Sequence, residues 1–153
     1  MLELSDKKIV TPMSNREIVE SFYEAVGEKE VHDERGVSRG DIDHLRLLFA
    51  ENIKWIHPAL GGEFNGADSV INDVLIPFWK NWDLTIDFHR YIEEGDTIVV
   101  LATYQGIYKP TGNEVNEPTA HVWDLKDGKI VRFRQYVDTA SLWSQMEGQP
   151  VNG

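Results

Sequence analysis

Apolar and polar positions alternate with a helical period in the first half of the chain. After Ser14, apolar residues recur at helical spacing as far as Val26, and Ser14 with Glu17 three residues later forms a capping-box signature. Similar spacing predicts two more helices, at about residues 41–49 and 67–79. Pro77 is expected to distort the last turn of the third helix, because proline lacks a backbone N–H.

The pattern changes to a period of two in the second half, which predicts strands. Asp127-Gly128 between two alternating runs is a strong hairpin signal, because both residues tolerate positive φ. Asp138 is expected to cap a short last helix that runs to Met146. An earlier short strand ends at His57-Pro58, since proline cannot continue a ladder, and Gly61-Gly62 and Asn65-Gly66 predict a loop after it. The predicted strands cover about residues 52–57, 84–93, 97–108, 114–126 and 129–137.

Helices followed by an antiparallel meander indicate an α+β fold. We expect a strongly curved, mixed or antiparallel, cone-shaped sheet with the N-terminal helices on its concave face and a cavity beneath them. Residues 14–147 are predicted to form one domain, with tails at 1–13 and 148–153. The charged segment 28–39 is interpreted as a solvated loop.

Composition excludes several classes of function. The chain has 153 residues, no cysteine, and a formal net charge of −11. Such a surface repels phosphate backbones and anionic lipid, so we expect neither nucleic-acid nor membrane partners. The lack of cysteine and of a secretory signal favours a cytoplasmic protein. No metal site is expected, because no pair of histidines has His-x-His or His-x-x-x-His spacing; they are His32, His44, His57, His89 and His121.

Two histidines are the candidates for catalysis. Strand alternation places His121 on one face with Thr119 and Trp123, and His57 on one face with Trp55. An imidazole titrates near neutrality, so His57 is a candidate general base and His121 a candidate hydrogen-bond donor to an enolate. A structural role is the alternative for each: His57 bonded to a loop carbonyl, and His121 buried and neutral.

The chain is rich in aromatic residues, with five Trp, five Tyr and six Phe. Large rings can fill a core or can line a pocket for a flat, apolar ligand, and both alternatives stay open here. Tyr23 and Tyr104 can each supply a phenol donor or be structural. The candidate ligand-binding residues are Trp55, Phe78, Trp79, Leu101, Thr103, Thr119, Trp123, Phe133 and Gln135.

The order of elements, Phe64-Asn65-Gly66 before the third helix, and Asp-Gly-Lys-Ile before the last strand resemble the SnoaL-like branch of the nuclear transport factor 2 and ketosteroid isomerase superfamily. The resemblance covers residues 15–146. It implies that His57 occupies the position of the ketosteroid isomerase general base. It also implies that His121 and Tyr23 occupy or adjoin the positions of the oxyanion-hole donors, although the residue types differ.

That resemblance implies cofactor-independent isomerase, cyclase, aldol-type or hydrolytic chemistry on a small apolar carbonyl or polyketide-like substrate. It further implies a homodimer formed through the outer face of the sheet, where Arg132, Arg134 and Tyr136 are expected. Two alternatives remain: a binding module that holds a small hydrophobic metabolite without turnover, and a dimerisation domain.

Overall fold

The computed structural model describes residues 12–27, 30–33, 36–39 and 42–147. Of the predicted tails, residues 1–11 and 148–153 lie outside this description. The helices are α1 (Asn15–Val26), α2 (Ile42–Leu48), α3 (residues 67–81) and α4 (Thr139–Glu147), with a short 3-10 turn at Pro58–Leu60.

Eight strands are described. Strands β1 and β2 form a separate two-stranded sheet. The other six strands form a mixed sheet with the order β4-β3-β8-β7-β6-β5. β3 and β8 run parallel, and the other neighbours are antiparallel. The strands are β1 (Glu30–Asp33), β2 (Gly36–Arg39), β3 (Phe49–His57), β4 (Gly62–Asn65), β5 (Trp82–Glu94), β6 (Thr97–Tyr108), β7 (Asn113–Lys126) and β8 (Lys129–Val137).

The α+β class and the curved sheet are therefore confirmed. Two predictions about connections are wrong. The segment interpreted as a solvated loop, residues 28–39, contains strands β1 and β2, which pair in antiparallel register at four residue pairs. The loop predicted after His57 contains β4, which pairs with the end of β3.

Helix α1 begins where the sequence predicts. Ser14 Oγ accepts a hydrogen bond from the backbone N–H of Glu17, and the Glu17 carboxylate accepts one from the backbone N–H of Ser14. This capping box satisfies donors that an uncapped helix would leave free. The buried face of α1 carries Ile18, Val19 and Phe22 against the sheet.

Helix α3 is irregular in its middle. Ala67–Ser69 and Ile76–Asn81 are α-helical, whereas Val70–Leu75 form a π-helical segment. In a regular α-helix the Pro77 ring would clash with the carbonyl four residues earlier, and the wider turn lies just before it. The predicted distortion is present, but it lies before Pro77 rather than in the last turn.

The β7–β8 hairpin has the predicted tight turn. Asp127 and Gly128 both have positive φ, 52° and 78°, and Lys126 pairs with Lys129 across them. Two positive φ values in a two-residue loop are typical of a type I′ turn. On β8, Phe133 and Gln135 are buried while Arg132 and Tyr136 are exposed, so the predicted inner and outer faces of this strand are confirmed.

Candidate functional site

A largely apolar cavity of about 110 Å³ lies between the concave face of the sheet and the helices. Its walls come from α1, α3, α4, the turn after β3, and strands β3, β5, β6 and β8. Most lining residues are apolar, and the polar ones are His57, Asn81, Tyr104 and Gln135. A cavity of roughly 150 Å³ admits benzene, so this smaller one suits a ligand of at most about one ring.

The structure brings only part of the predicted set to the cavity. His57, Trp55, Phe78 and Gln135 line it. The remaining aromatic candidates are core residues outside the lining: Trp123 is fully buried, Phe133 stacks on Trp55 at 4.0 Å, and Trp79 Nε1 donates to the carbonyl oxygen of Val26. These three side chains do not line the cavity in this structure, because close packing of the core covers nearly all of their surface.

Three further candidates also do not reach the cavity. On β6 the inward residues are Ile98, Val100, Ala102 and Tyr104, so Leu101 and Thr103 lie on the opposite face. Thr103 Oγ1 instead lies 2.7 Å from Nε2 of His89. Thr119 does face inward, but its hydroxyl donates to the Tyr136 carbonyl oxygen, and it supports the sheet rather than lining the cavity.

His57 lies at the end of β3, half-buried in the cavity wall. The Trp55 indole Nε1 donates a hydrogen bond to Nδ1 of His57, with 3.1 Å between the nitrogens. An indole N–H can only donate, so Nδ1 must hold the lone pair and the neutral ring carries its hydrogen on Nε2. This hydrogen bond favours a donor role for His57 over the predicted role of general base.

His121 lies behind the cavity wall, and it is 4% exposed. Its two ring nitrogens each contact a phenol: Nδ1 is 2.7 Å from Tyr23 Oη, and Nε2 is 2.6 Å from Tyr104 Oη. The predicted grouping of Tyr23 with His121 is therefore present. The two histidines do not both open into the cavity, however, because Tyr104 stands between His121 and the space.

The direction of these hydrogen bonds follows from their donors. Trp123 Nε1 donates to Tyr23 Oη at 3.1 Å, and within the described chain the one acceptor that the Tyr23 hydroxyl reaches is His121 Nδ1. Tyr23 therefore donates to Nδ1, and His121 carries its hydrogen on Nε2 and donates to Tyr104. The chain of donors runs from Trp123 through Tyr23 and His121 to Tyr104, which lines the cavity.

Gln135 completes the end of this chain. Its Nε2 donates to Tyr104 Oη at 2.9 Å, and its Oε1 is buried without a partner among the described residues. Tyr104 Oη then accepts two hydrogen bonds, and its own hydrogen can be donated to Thr119, which also hydrogen-bonds this phenol, or to a ligand that replaces Thr119 as the acceptor. If the Gln135 side-chain amide were rotated by 180°, Oε1 and Nε2 would exchange places. Tyr104 would then donate to Oε1, and an amide N–H would be left free instead. The chain ends on a donor at the cavity wall in both orientations.

All four titratable groups of the site are neutral near pH 7. Burial lowers the pKa of His57 from 6.5 to about 4. Burial, with a smaller contribution from His57, lowers the pKa of His121 to about 3. Burial raises the pKa of Tyr104 to about 12, although its hydrogen bonds with Gln135 and Thr119 act in the opposite direction, and burial raises the pKa of Tyr23 well above 10.

Sequence reasoning missed the C-terminal helix as a wall of the site. Leu142 and Met146 of α4 line the cavity, and Leu142 packs in a second core cluster with Trp82 and Val115. Asp138 does cap α4 as predicted, since its Oδ1 accepts from the backbone N–H of Ser141. The signal available in the sequence was the spacing of Leu142 and Met146, which places both on one face of a helix.

The described residues contain no group of three or more His, Asp or Glu side chains placed to hold a metal ion. Among the described helices, none is both long and apolar enough to cross a bilayer.

The chain belongs to the SnoaL-like domain family, whose sequence profile matches residues 19–133. The predicted family is thus confirmed. No protein of curated function matches the chain.

Solved structures share the fold. A nuclear transport factor 2-like protein from Burkholderia thailandensis is 28% identical, with a TM-score of 0.71 over 90% of this chain and 99% of that one. One of unknown function from Burkholderia pseudomallei is 27% identical, with a TM-score of 0.71 over 88% and 98%. A protein with a ketosteroid isomerase-like fold from Catenulispora acidiphila, in complex with trimethylamine, is 18% identical, with a TM-score of 0.68 over 88% and 95%.

Proposed function

We propose that this protein binds a small, largely apolar carbonyl compound in the cavity and activates its carbonyl group by hydrogen bonding. The observation that carries the proposal is the chain of donors that ends on Tyr104 at a largely apolar wall. A carbonyl oxygen accepts such a hydrogen bond, and the rest of the ligand contacts aromatic and aliphatic side chains.

The arrangement suits reactions in which the carbonyl oxygen gains negative charge. Enolisation in an isomerase and aldol-type ring closure in a cyclase both have this requirement. Tyr104, with Nε2–H of His57 as a second donor, would stabilise the developing oxyanion, and the α proton would pass to a water molecule or a buffer base, because the described lining supplies no free base. Because Trp123, Tyr23 and His121 are buried and already hydrogen-bonded, their alignment costs little reorganisation during the reaction. These residues require no cofactor for this role.

A second candidate function is binding without turnover. Its support is that the described lining residues include no carboxylate and that the Nδ1 lone pair of His57 is occupied by Trp55. Abstraction of a proton next to a carbonyl needs a base, and the described lining offers only amide oxygens, phenol and an imidazole whose Nδ1 is already hydrogen-bonded.

Cyclohexanone is a suitable probe because its single ring matches the cavity. We expect it to bind more tightly than methylcyclohexane, by roughly fivefold, which corresponds to one hydrogen bond of about 1 kcal/mol. Quenching of Trp fluorescence can report binding, since Trp55 and Trp82 line the cavity. Tyr104→Phe should remove the preference. Equal affinity of the two probes for the wild type would contradict the proposal.

Turnover distinguishes the two candidates. An enolising enzyme should exchange the α hydrogens of cyclohexanone for deuterium in D₂O faster than buffer does, and Tyr104→Phe should slow that exchange at least tenfold. Binding of the ketone without accelerated exchange would instead support the binding module. Mass spectrometry of the recovered ketone measures the exchange directly.

A further inference from the structure

Trp55 is held rigidly beside the cavity. Its side chain is 2% exposed. Its ring stacks on Phe133 at a centroid distance of 4.0 Å and an interplanar angle of 28°, and it meets Trp123 edge to face at 5.8 Å. These contacts leave the indole one orientation, so the direction of its N–H is set by the core and not by the ligand.

The indole N–H determines where the hydrogen of His57 lies. Trp55 Nε1 and His57 Nδ1 are two residues apart on the same face of β3 and 3.1 Å from each other. If Nδ1 carried the hydrogen, two N–H groups would point at each other and both would lose a partner. An unsatisfied buried donor costs about 1–3 kcal/mol, so the tautomer with hydrogen on Nε2 is strongly preferred.

We propose that Trp55 is a positioning residue that fixes the Nε2–H tautomer of His57, and that the cavity thereby selects ligands that accept hydrogen bonds over ligands that donate them. This inference rests on the proposed function and names the ligand class of the same site: a ketone in preference to the corresponding alcohol. Nε2 of His57 has no hydrogen-bond partner among the described residues, so its hydrogen is available at the cavity wall.

The geometry distinguishes this role from a purely structural one. A Trp that only filled the core would leave His57 free to adopt either tautomer, and the ring could then either donate to a ketone or accept from an alcohol. With the lone pair of Nδ1 occupied, Tyr104 and His57 both present donors. An alcohol can still accept from one of them, but its own hydrogen gains no partner on His57.

The tautomer can be read in the wild-type protein without any ligand. In ¹⁵N-labelled protein, long-range ¹H–¹⁵N correlation spectra separate a protonated ring nitrogen from one with a lone pair. We expect His57 to show a lone pair on Nδ1 and hydrogen on Nε2 at pH 7. Trp55→Phe should populate both tautomers, whereas Trp82→Phe, which alters another lining Trp without touching His57, should not. A wild-type spectrum with hydrogen on Nδ1 would overturn the proposal.

Cyclohexanone and cyclohexanol form the matched ligand pair. The wild type should prefer the ketone by at least fivefold, and Trp55→Phe should reduce that ratio at least threefold while Trp82→Phe preserves it. If the Trp55→Phe variant folds and binds both ligands, an unchanged ratio of the two affinities would overturn the selectivity claim. Failure of both probes to bind wild type, with the predicted tautomer present, would count against the proposed function and leave the role of Trp55 in positioning supported.

Discussion

The cavity has two walls that are built from different kinds of contact. The sheet wall, formed by His57, Tyr104 and Gln135, is backed by buried side chains that hydrogen-bond to one another. The C-terminal wall, formed by Leu142 and Met146 of α4, is attached to the rest of the fold by one buried apolar side chain and by a few hydrogen bonds.

The attachments of α4 show the contrast. Glu117, 5% exposed, accepts hydrogen bonds from Ser141 Oγ at 2.5 Å and from Gln145 Nε2 at 2.8 Å. The Trp143 indole, on a side chain that is 43% exposed, donates to the carbonyl oxygen of Ala59. One apolar side chain of α4, Leu142, is buried.

This difference in attachment indicates which wall recognises the ligand and which wall opens for ligand entry. A side chain in the sheet wall cannot move without leaving buried donors unsatisfied, whereas α4 can separate by exchanging a few hydrogen bonds for water. We therefore expect recognition to depend on the sheet wall and access to depend on the C-terminal wall.

The largest expected effect tests the rigidity of the sheet wall. Gly106 of β6 lies opposite Leu84 of β5, and a Cβ added there would be 2.0 Å from the carbonyl oxygen of Asp83. Gly106→Ala should reduce the free energy of unfolding by about 3 kcal/mol or more, because two strand backbones must separate. Gly112→Ala is the control, since its Cβ would meet open space at φ +76°, and only about 1 kcal/mol of backbone strain is expected. Urea titration measures both.

The next effect concerns the buried chain of donors. Tyr23→Phe removes the hydroxyl between Trp123 and His121 and leaves Trp123 Nε1 and His121 Nδ1 without partners. We expect a loss of about 2 kcal/mol in the free energy of unfolding. Tyr91→Phe changes a partly exposed tyrosine whose ring lies under Arg16, and it should cost less than about 0.5 kcal/mol. Equal losses in the two variants would mean that the chain adds nothing to stability.

A pH titration of stability sharpens the comparison further. His57 and His121 have folded-state pKa values of about 4 and about 3, below the value of 6.5 expected when unfolded. The unfolded chain therefore binds protons that the folded chain does not, so stability is complete above pH 6.5 and falls as pH decreases toward 4. Each histidine contributes a slope of up to about 1.4 kcal/mol per pH unit.

The double variant His57→Gln, His121→Gln isolates this contribution from that of the carboxylates. Its unfolding free energy should fall less steeply between pH 6.5 and 4.5 than that of the wild type. Parallel pH profiles for the two proteins would show that the histidines are not held neutral by the fold.

The smallest expected effect concerns the C-terminal wall. Glu117→Gln retains the shape of the side chain but weakens its hydrogen bonds with Ser141 and Gln145, because a neutral amide is a poorer acceptor than a carboxylate. We expect a loss of about 1 kcal/mol or less in global stability, but faster hydrogen exchange across α4 and a higher dissociation rate for cyclohexanone. Exchange that speeds up equally in α1 would contradict a local role for this contact.

Much of the fold could be predicted because local alternation of apolar and polar residues, together with the turn residues, indicates most of the strands. β6 and β8 have the predicted bounds, and the Asp127-Gly128 turn has the positive φ values that its residues favour. The paired strands β1 and β2 are not predicted, because the sequence of this segment is charged and lacks alternation. Its pairing depends on backbone hydrogen bonds that composition does not reveal.

The site was harder to predict than the fold. β6 is apolar at successive positions from Ile98 to Ala102, so its sequence does not reveal whether the even-numbered or the odd-numbered residues face inward. The prediction that Leu101 and Thr103 face inward is therefore wrong. His57 was placed correctly, because a strand end before proline fixes its location. Its tautomer depends on the hydrogen bond from Trp55 Nε1 to His57 Nδ1, with 3.1 Å between the nitrogens. Residue types alone do not determine that this bond forms.

The parallel pairing of β3 with β8 has a consequence for synthesis of the chain. It joins Trp55 to Phe133 and Ile56 to Arg134, so strands that are far apart in sequence must meet before the cavity has its walls. Such non-local contacts form late and slow the folding of small domains. During translation, the residues around His57 therefore leave the ribosome long before their partners exist, and a nascent chain halted before β8 has no binding site.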